Sequence, residues 1–474
     1  MSKLLAPAIA EFSAGLSYDV IPEKVRDAAM LHVVDTIGVC IAGASPSEES
    51  GVAARRLATQ WGNSSGATIF GLGSLMRADM AALLNGSLAQ ALEMDDKHGS
   101  SLARPGSTVT PAVLAAAEAR DLSLKDAITA VVAGYEVMIR LGFVGGDRFL
   151  ERGYHTSSLL GSFGVSAAIG RLNGIRPEKI VDAMGISGTF ASGIQESTRT
   201  GSTSKILHGG WGAHAGMIAV DLATAGITGP DSVFEGGFGF FNTHLTPITG
   251  ELNFAAGSAK LGQHWYLPET AYKPYPCCQL LHAFIEAVKQ LLAEFKRDGV
   301  SVSDIDRISC QLAEPGLTLV TQPAERKKKP QTPHEGRFSL YYGVAAALVD
   351  GDVTLATFKP ERLKDPQILK LAALVEASED PDSDYPLHCP AILEIYVRGK
   401  RYRSHVRFHP GSPEAPLLYD DVLDKFARNS TWLFGDTARA IGAEIAATPH
   451  ADKMKKVVER ISRSSVKVIS SGTG

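Results

Sequence analysis

Three segments combine helical apolar spacing with repeated alanine and glycine: PAVLAAAEA at 111–119, GSFGVSAAIGRLNG at 161–174 and GGWGAHAGMIAVDLATAG at 209–226. Glycine inside a helix costs about 1 kcal/mol relative to alanine. A chain that places it there repeatedly needs helices whose backbones touch. This constrains the fold more than any other feature and predicts a compact helical core, not a solenoid. Elsewhere Val25, Ala28, Leu31, Val34 and Ile37 recur every three residues, again a helical period. In SLKDAITAVVAGYEVMIRLG, Ser123 stands where an N-cap belongs and Gly142 near a C-terminus.

The pattern changes twice along the 474 residues. Between about 266 and 410, DRISCQLAEPG and PAILEIYVRGKRYRSHVRFHPG alternate apolar and polar residues with period two, and VRGKRYR carries the glycine of a hairpin. Helical stretches such as LLHAFIEAVKQLLAEF separate these strands. Beyond 411 the helical spacing returns, in PLLYDDVLDKFARNSTWL and GDTARAIGAEIAAT. The expected fold is mainly α. A large all-helical domain is built from 1–265 and 411–474, and an α+β unit from 266–410 is inserted between them. No sequence repeat is present, and the small polar tail from residue 462 is expected to fray.

Composition excludes several function classes. Net charge is −4, and the one basic run, ERKKKP at 325–330, is too short for a phosphate-tracking surface and reads as a solvated loop. Nucleic-acid binding is not expected. Five cysteines show neither a secreted framework nor metal spacing, which fits a reducing cytoplasm. Glu11 interrupts the N-terminal apolar stretch, which argues against a signal peptide. No window reaches the roughly 18 uncharged apolar residues of a membrane span. There is no G-x-G-x-x-G after a strand, no P-loop, no G-x-S-x-G elbow and no H-E-x-x-H, so no metal site is expected.

What remains is polar chemistry set in apolar or glycine-rich surroundings. ALEMDDKHGSSLARPGS puts Glu93, Asp95, Asp96, Lys97, His98 and Arg104 within twelve positions before the alanine-rich run resumes. That density describes either a solvated turn or a site for a polyanion. His155 opens the small-residue helix of YHTSSLLGSFG. Lys205, His208 and His214 lie in the glycine-dense TGSTSKILHGGWGAHAG. Lys273, Cys278 and His282 lie in YKPYPCCQLLHAF, and Arg337 and Tyr342 in GRFSLYYGVAAALVDG.

Taken in order, these segments, with AGYEVMIRLG and FHPGSPEAPL, resemble the MmgE/PrpD family, which contains 2-methylcitrate dehydratase, cis-aconitate decarboxylase and iminodisuccinate epimerase. The resemblance implies that the α+β unit is a lid over the helical domain, that the site lies in the cleft between them, that the protein is a homodimer, and that no metal or organic cofactor is used. It places site positions on Glu93, Lys97, His155, Lys205, Lys273 and Tyr342. Two departures stand out: Arg104 replaces the histidine of an H-P-S-G or H-P-G-S run, and Cys278 replaces a histidine found in some members. Arginine holds its proton near neutral pH but clamps a carboxylate through two parallel hydrogen bonds.

The shared chemistry is proton removal, or loss of CO2, beside a carboxylate, so preorganised cations are needed for the charge that builds there. On this reading Lys205, Lys273 and Arg104 hold substrate carboxylates. His155 and Tyr342 lead for proton transfer, with Lys97 or Glu93 as substitutes and Cys278 and His282 lining the pocket. The expected function is a lyase, dehydrating or decarboxylating a small di- or tricarboxylic acid. An epimerase of a dicarboxylate and a non-catalytic carboxylate binder are the alternatives.

Overall fold

The structure, a computed structural model, describes residues 4–62, 65–247 and 251–469. It holds two main hydrophobic cores. The first draws on residues from Leu5 to Tyr272 and again from Val422 to Ile461. The second runs from Tyr275 to Val406.

The first core is mainly helix: α1 (Glu23–Gly43), α2 (Ala78–Gln90), α3 (Val109–Ala119), α4 (Leu124–Gly145), α5 (Thr156–Asn173) and α6 (Leu207–Thr224) pack around one another. The glycine requirement is visible where α2 meets α6. A Cβ on Gly86 would lie 2.8 Å from the Gly210 Cα, and one on Gly210 would lie 2.0 Å from the Leu83 carbonyl oxygen. Only hydrogen fits at that crossing.

The Ser123 cap forms as its sequence predicts, with the Asp126 N–H donating to Ser123 Oγ at 3.1 Å and the Asp126 carboxylate returning to the Ser123 N–H. The helix runs on to Gly145, one turn past Gly142. Gly142 is internal because a Cβ there would strike the Ser101 carbonyl oxygen at 2.4 Å. By length and apolar composition alone α4 is long enough to cross a membrane, although Glu136 and Arg140 interrupt it. It lies inside the protein, 94% buried along its most apolar window.

The second core lies beneath a four-stranded sheet of β3 (Ile305–Leu312), β4 (Val375–Glu379), β5 (Ala391–Val397) and β6 (Lys400–Val406), in the order β4-β3-β5-β6. β3 pairs parallel with β4, and the other pairs are antiparallel. Ala391, Leu393, Ile395 and Val397 turn inward along β5, the period-two pattern of the sequence. Arg398 and Gly399, at φ 50° and 80°, make the two-residue hairpin. Helices α7 (His282–Asp298) and α8 (Leu340–Asp350) pack with this sheet. A separate two-stranded ladder, β1 (Lys97–His98) with β2 (Thr270–Ala271), ties the charged segment to the chain just before Lys273.

The basic run at 325–330 departs from expectation. Residues Ala324–Lys328 form a helical turn, and Lys327 is buried with its ammonium donating to the Phe338 carbonyl at 2.9 Å. At the other end, the Met454–Ile469 helix backbone continues well into the polar tail, and residues 470–474 lie outside those described.

The chain's C-terminal part reaches the charged segment directly. Lys425, on α9 (Tyr419–Phe434), is fully buried; its ammonium sits 2.8 Å from Asp35 on α1 and donates to the Met94 carbonyl at 3.0 Å. Lys425→Met strands Asp35 and should cost about 3–5 kcal/mol. Asp35→Asn added to it should restore most of the thermal midpoint, as read by calorimetry.

Candidate active site

The charged interruption is not a solvated turn. Glu93, Asp95, Asp96, Lys97 and His98 are each at most 5% exposed. Leu92 and Met94, set between the charges, pack with Val39 and Ala42 of α1 and pin the segment down. Asp96 works inward. It accepts from the Gly106 N–H at 2.8 Å and the Tyr135 hydroxyl at 2.7 Å, with His32 Nδ1 at 2.9 Å. A Cβ on Gly106 would lie 2.7 Å from Asp96 Oδ1, so the glycine of Arg104-Pro105-Gly106-Ser107 is what lets this loop close onto the carboxylate.

Asp95 is the hub. It takes the Lys273 ammonium at 3.1 Å, the Ser107 hydroxyl at 3.1 Å and the Gln90 amide at 3.3 Å. Glu93 pairs with the Lys205 ammonium through one oxygen and sits 3.7 Å from Lys273 through the other. Burial would raise the Glu93 carboxyl, but Lys205 and Lys273 outweigh it and hold it at about 2, so it is ionised. Its backbone is left-handed at φ 57°, a conformation costing about 1–3 kcal/mol outside glycine and held only where surroundings dictate it. Lys273 is likewise opposed by burial, yet Asp95 and Glu93 raise it, so it stays an ammonium.

Two cations are uncommitted. Lys97 makes no ion pair among the described residues, and burial, joined by Arg104 and Lys273, lowers it to about 8. Among the described residues the half-buried Arg104 reaches the Leu102 carbonyl at 3.4 Å and the Thr156 hydroxyl at 3.3 Å, and its Nε has no acceptor. Guanidinium groups so weakly engaged are available to a carboxylate.

His155 caps the start of α5, its N–H donating to the Gly193 carbonyl at 2.9 Å. Its Nδ1 lies 3.1 Å from Nδ1 of His208 on α6, and its Nε2 has no partner among the described residues. Burial, then Lys205 and Arg104, keep His155 well below its ordinary pKa, and His208 falls to about 4. Both rings are therefore neutral near pH 7. With the shared proton on His155 Nδ1, His155 Nε2 presents a free lone pair.

From the second core come Cys278, Cys389, Tyr385 and His334. Cys278 precedes the turn Gln279–Leu281, its N–H donating to the Arg337 carbonyl at 2.9 Å. Cys389 neighbours Lys97, Tyr385 neighbours Arg104, and His334 neighbours Glu93. The Phe338 ring lies 5.1 Å from the Lys205 ammonium. A cavity of about 240 Å³ opens between the segments around His98 and Cys389, with Gln279 and His409 on its walls.

The structure thus brings together Glu93, Lys97, Arg104, His155, Lys205, Lys273 and Cys278. It does not bring Tyr342 to them. That hydroxyl donates to the Thr357 and Arg362 carbonyls at 2.8 and 3.1 Å inside the second core, and burial pushes its pKa up. Among the described residues no lysine pairs with it, and both of its hydrogen bonds are donated to backbone carbonyls, in place of the lysine-lined setting that the sequence suggests. His282 donates to the Cys277 carbonyl at 3.2 Å and meets the Tyr275 and His409 rings edge-on, so it supports the cavity from behind. Sequence reading passed over the roles of Asp95, His208, Tyr385 and Cys389. Among the described residues no group of three or more histidine, cysteine or acidic side chains is placed to hold a metal ion.

The sequence matches the MmgE/PrpD N-terminal domain over residues 7–251 and the MmgE/PrpD C-terminal domain over residues 275–469. It is 28% identical over 438 residues to a cis-aconitate decarboxylase of Aspergillus terreus, covering 88% of this chain and 87% of that protein. Against the Homo sapiens cis-aconitate decarboxylase the figures are 27% over 457 residues, 93% and 91%. A cis-aconitate decarboxylase-like protein of Aspergillus oryzae is 29% identical over 364 residues, 73% of this chain and 74% of its own length. Matched in both its halves, and carrying the charged segment, the Arg104 loop and the His155 helix in one buried cluster, the chain belongs to the MmgE/PrpD family.

Proposed function

We propose that the protein cleaves a carbon–carbon or carbon–oxygen bond next to a carboxylate of a small di- or tricarboxylic acid, without a cofactor. It is a lyase of the dehydratase or decarboxylase type. The observation that carries the reading is the gathering of Lys205, Arg104 and Lys273 about a neutral His155 whose Nε2 has no partner among the described residues, with Lys97 sharing the field of Arg104 and Lys273. Lys205, Lys273 and Arg104 receive carboxylates and stabilise the enolate-like charge that builds as the bond breaks. His155 Nε2 takes a proton from carbon where the reaction needs a base, and the Lys97 ammonium gives one to the leaving group or to carbon.

The test is turnover of 2-methylcitrate, citrate and cis-aconitate by purified protein, with unsaturation followed in the ultraviolet and CO2 release measured. Failure of all three overturns the lyase reading. Deuterium exchange from solvent without loss of water or CO2 would make it an epimerase, and thermal stabilisation without any chemistry a binding protein.

Arg104→Ala should lower kcat/KM about ten- to a thousandfold, as loss of a buried charge-assisted pair does. Arg104→Lys should recover little, since lysine lacks the planar fork. Wild-type kinetics in both variants would place Arg104 outside the site.

The reading includes a homodimer in a reducing cytoplasm. Five unpaired, buried cysteines support the compartment. An open apolar groove beside His208, lined by the exposed Trp61, Ile194, Leu207 and Trp211, supports the dimer, for which light scattering is the measurement.

A further inference from the structure

Gln279 begins the short turn after Cys278, is 7% exposed, and lines the 240 Å³ cavity together with His98 and Cys389. Its side-chain nitrogen lies 2.9 Å from His409 Nε2. The direction of that bond follows from the far side of the imidazole. His409 Nδ1 is 2.9 Å from the Pro410 carbonyl, and a carbonyl only accepts, so Nδ1 carries the proton. Burial lowers His409 to about 4, so the ring is neutral and its Nε2 bare. A bare ring nitrogen accepts, so the group facing it is the NH2 of Gln279. The amide has one orientation, and its oxygen is turned away from His409.

That oxygen is buried and has no donor among the described residues. A buried acceptor without a donor is rare in native proteins and calls for a partner. Lys205 and Lys273 are committed to Glu93 and Asp95, and among the described residues no hydrogen bond links Lys97 or Arg104 to the amide. A substrate carboxylate, itself only an acceptor, does not satisfy it. A hydroxyl does.

We propose that Gln279 is a specificity residue that accepts a hydrogen bond from a substrate hydroxyl, so that the site prefers a hydroxylated polycarboxylate over the same skeleton without the hydroxyl; this rests on the polycarboxylate reading above.

Calorimetric titration of the full-length protein with citrate and with tricarballylate, the same skeleton without its hydroxyl, tests the assignment directly. Wild type should bind citrate about tenfold more tightly, as one hydrogen bond to a buried acceptor allows. Gln279→Met should bring the ratio near one by weakening citrate alone. Gln279→Glu matches the amide in shape and keeps an acceptor, so it should weaken both acids and preserve the preference. Equal affinities in wild type overturn the proposal with no variant needed. So does a Gln279→Met protein that loses both acids alike, and should that variant not fold, the wild-type ratio and Gln279→Glu decide. Binding of neither acid by wild type overturns the polycarboxylate reading itself.

Discussion

Lys205→Met lowers kcat/KM by about a thousandfold or more. Two effects combine. The variant removes a preorganised ammonium from the place where carboxylate charge builds, which alone costs about a hundred- to a thousandfold. It also leaves Glu93 buried with Lys273 as its remaining cation, at 3.7 Å, so the left-handed turn at Glu93 loses the partner that holds it. Stability separates the two. The thermal midpoint of Lys205→Met should fall, and the double variant Glu93→Gln, Lys205→Met should regain much of it, because the stranded charge is gone. Activity should stay lost in the double variant. Recovery of activity together with stability would reduce Lys205 to a structural cation.

His155→Gln should lower kcat about a hundred- to ten-thousandfold with a small change in KM, the signature of a lost proton-transfer group. The pH profile carries a sharper expectation. Burial and neighbouring cations hold His155 well below its ordinary range and His208 at about 4, so neither charges between about pH 5.5 and 7.5, and the rate should be flat there. Lys97, lowered to about 8, loses its proton above that pH, so kcat/KM should fall on the alkaline side. Lys97→Met should abolish that limb together with most of the rate. An acidic limb centred near pH 6.5 would mean that an ordinary histidine controls the step, contrary to the burial of this pair.

The helical core was legible because its demands are local. Alanine and glycine at 161–174 and 209–226 state that backbones touch, and the Gly86–Gly210 crossing is that contact. The hairpin at Arg398-Gly399 and the cap at Ser123 are also local, and both form as their sequences predict. Gly142 does lie near the helix end at Gly145, but what requires a glycine there is the Ser101 backbone, distant in sequence, and not the end of the helix.

The site divides the same way. Glu93, Lys97, Arg104, His155, Lys205 and Lys273 stand out as charge amid apolar or small residues, and burial makes that contrast meaningful. Tyr342 stood out equally, yet its neighbourhood is two carbonyls that no spacing reveals. Asp95, a close neighbour of Glu93, went unassigned because its work is done by residues 178 and 12 positions away, Lys273 and Ser107. Tyr385 and Cys389 lie in a stretch with no compositional mark, and His409, although inside FHPGSPEAPL, finds its partner Gln279 130 positions away.

The bond from Lys425 to the Met94 carbonyl sets an order of events during synthesis. Residues 93–98 leave the ribosome more than three hundred positions before the ammonium that fixes them. Until α9 has emerged and docked on α1, Asp35 has no counter-charge and the segment bearing Glu93 and Asp95 lacks one of its anchors. A nascent or truncated chain can therefore bury much of the helical core while its cation cluster stays unformed. The segment bearing Glu93 and Asp95 is fully anchored only once the stretch carrying Lys425, late in the chain, has been made.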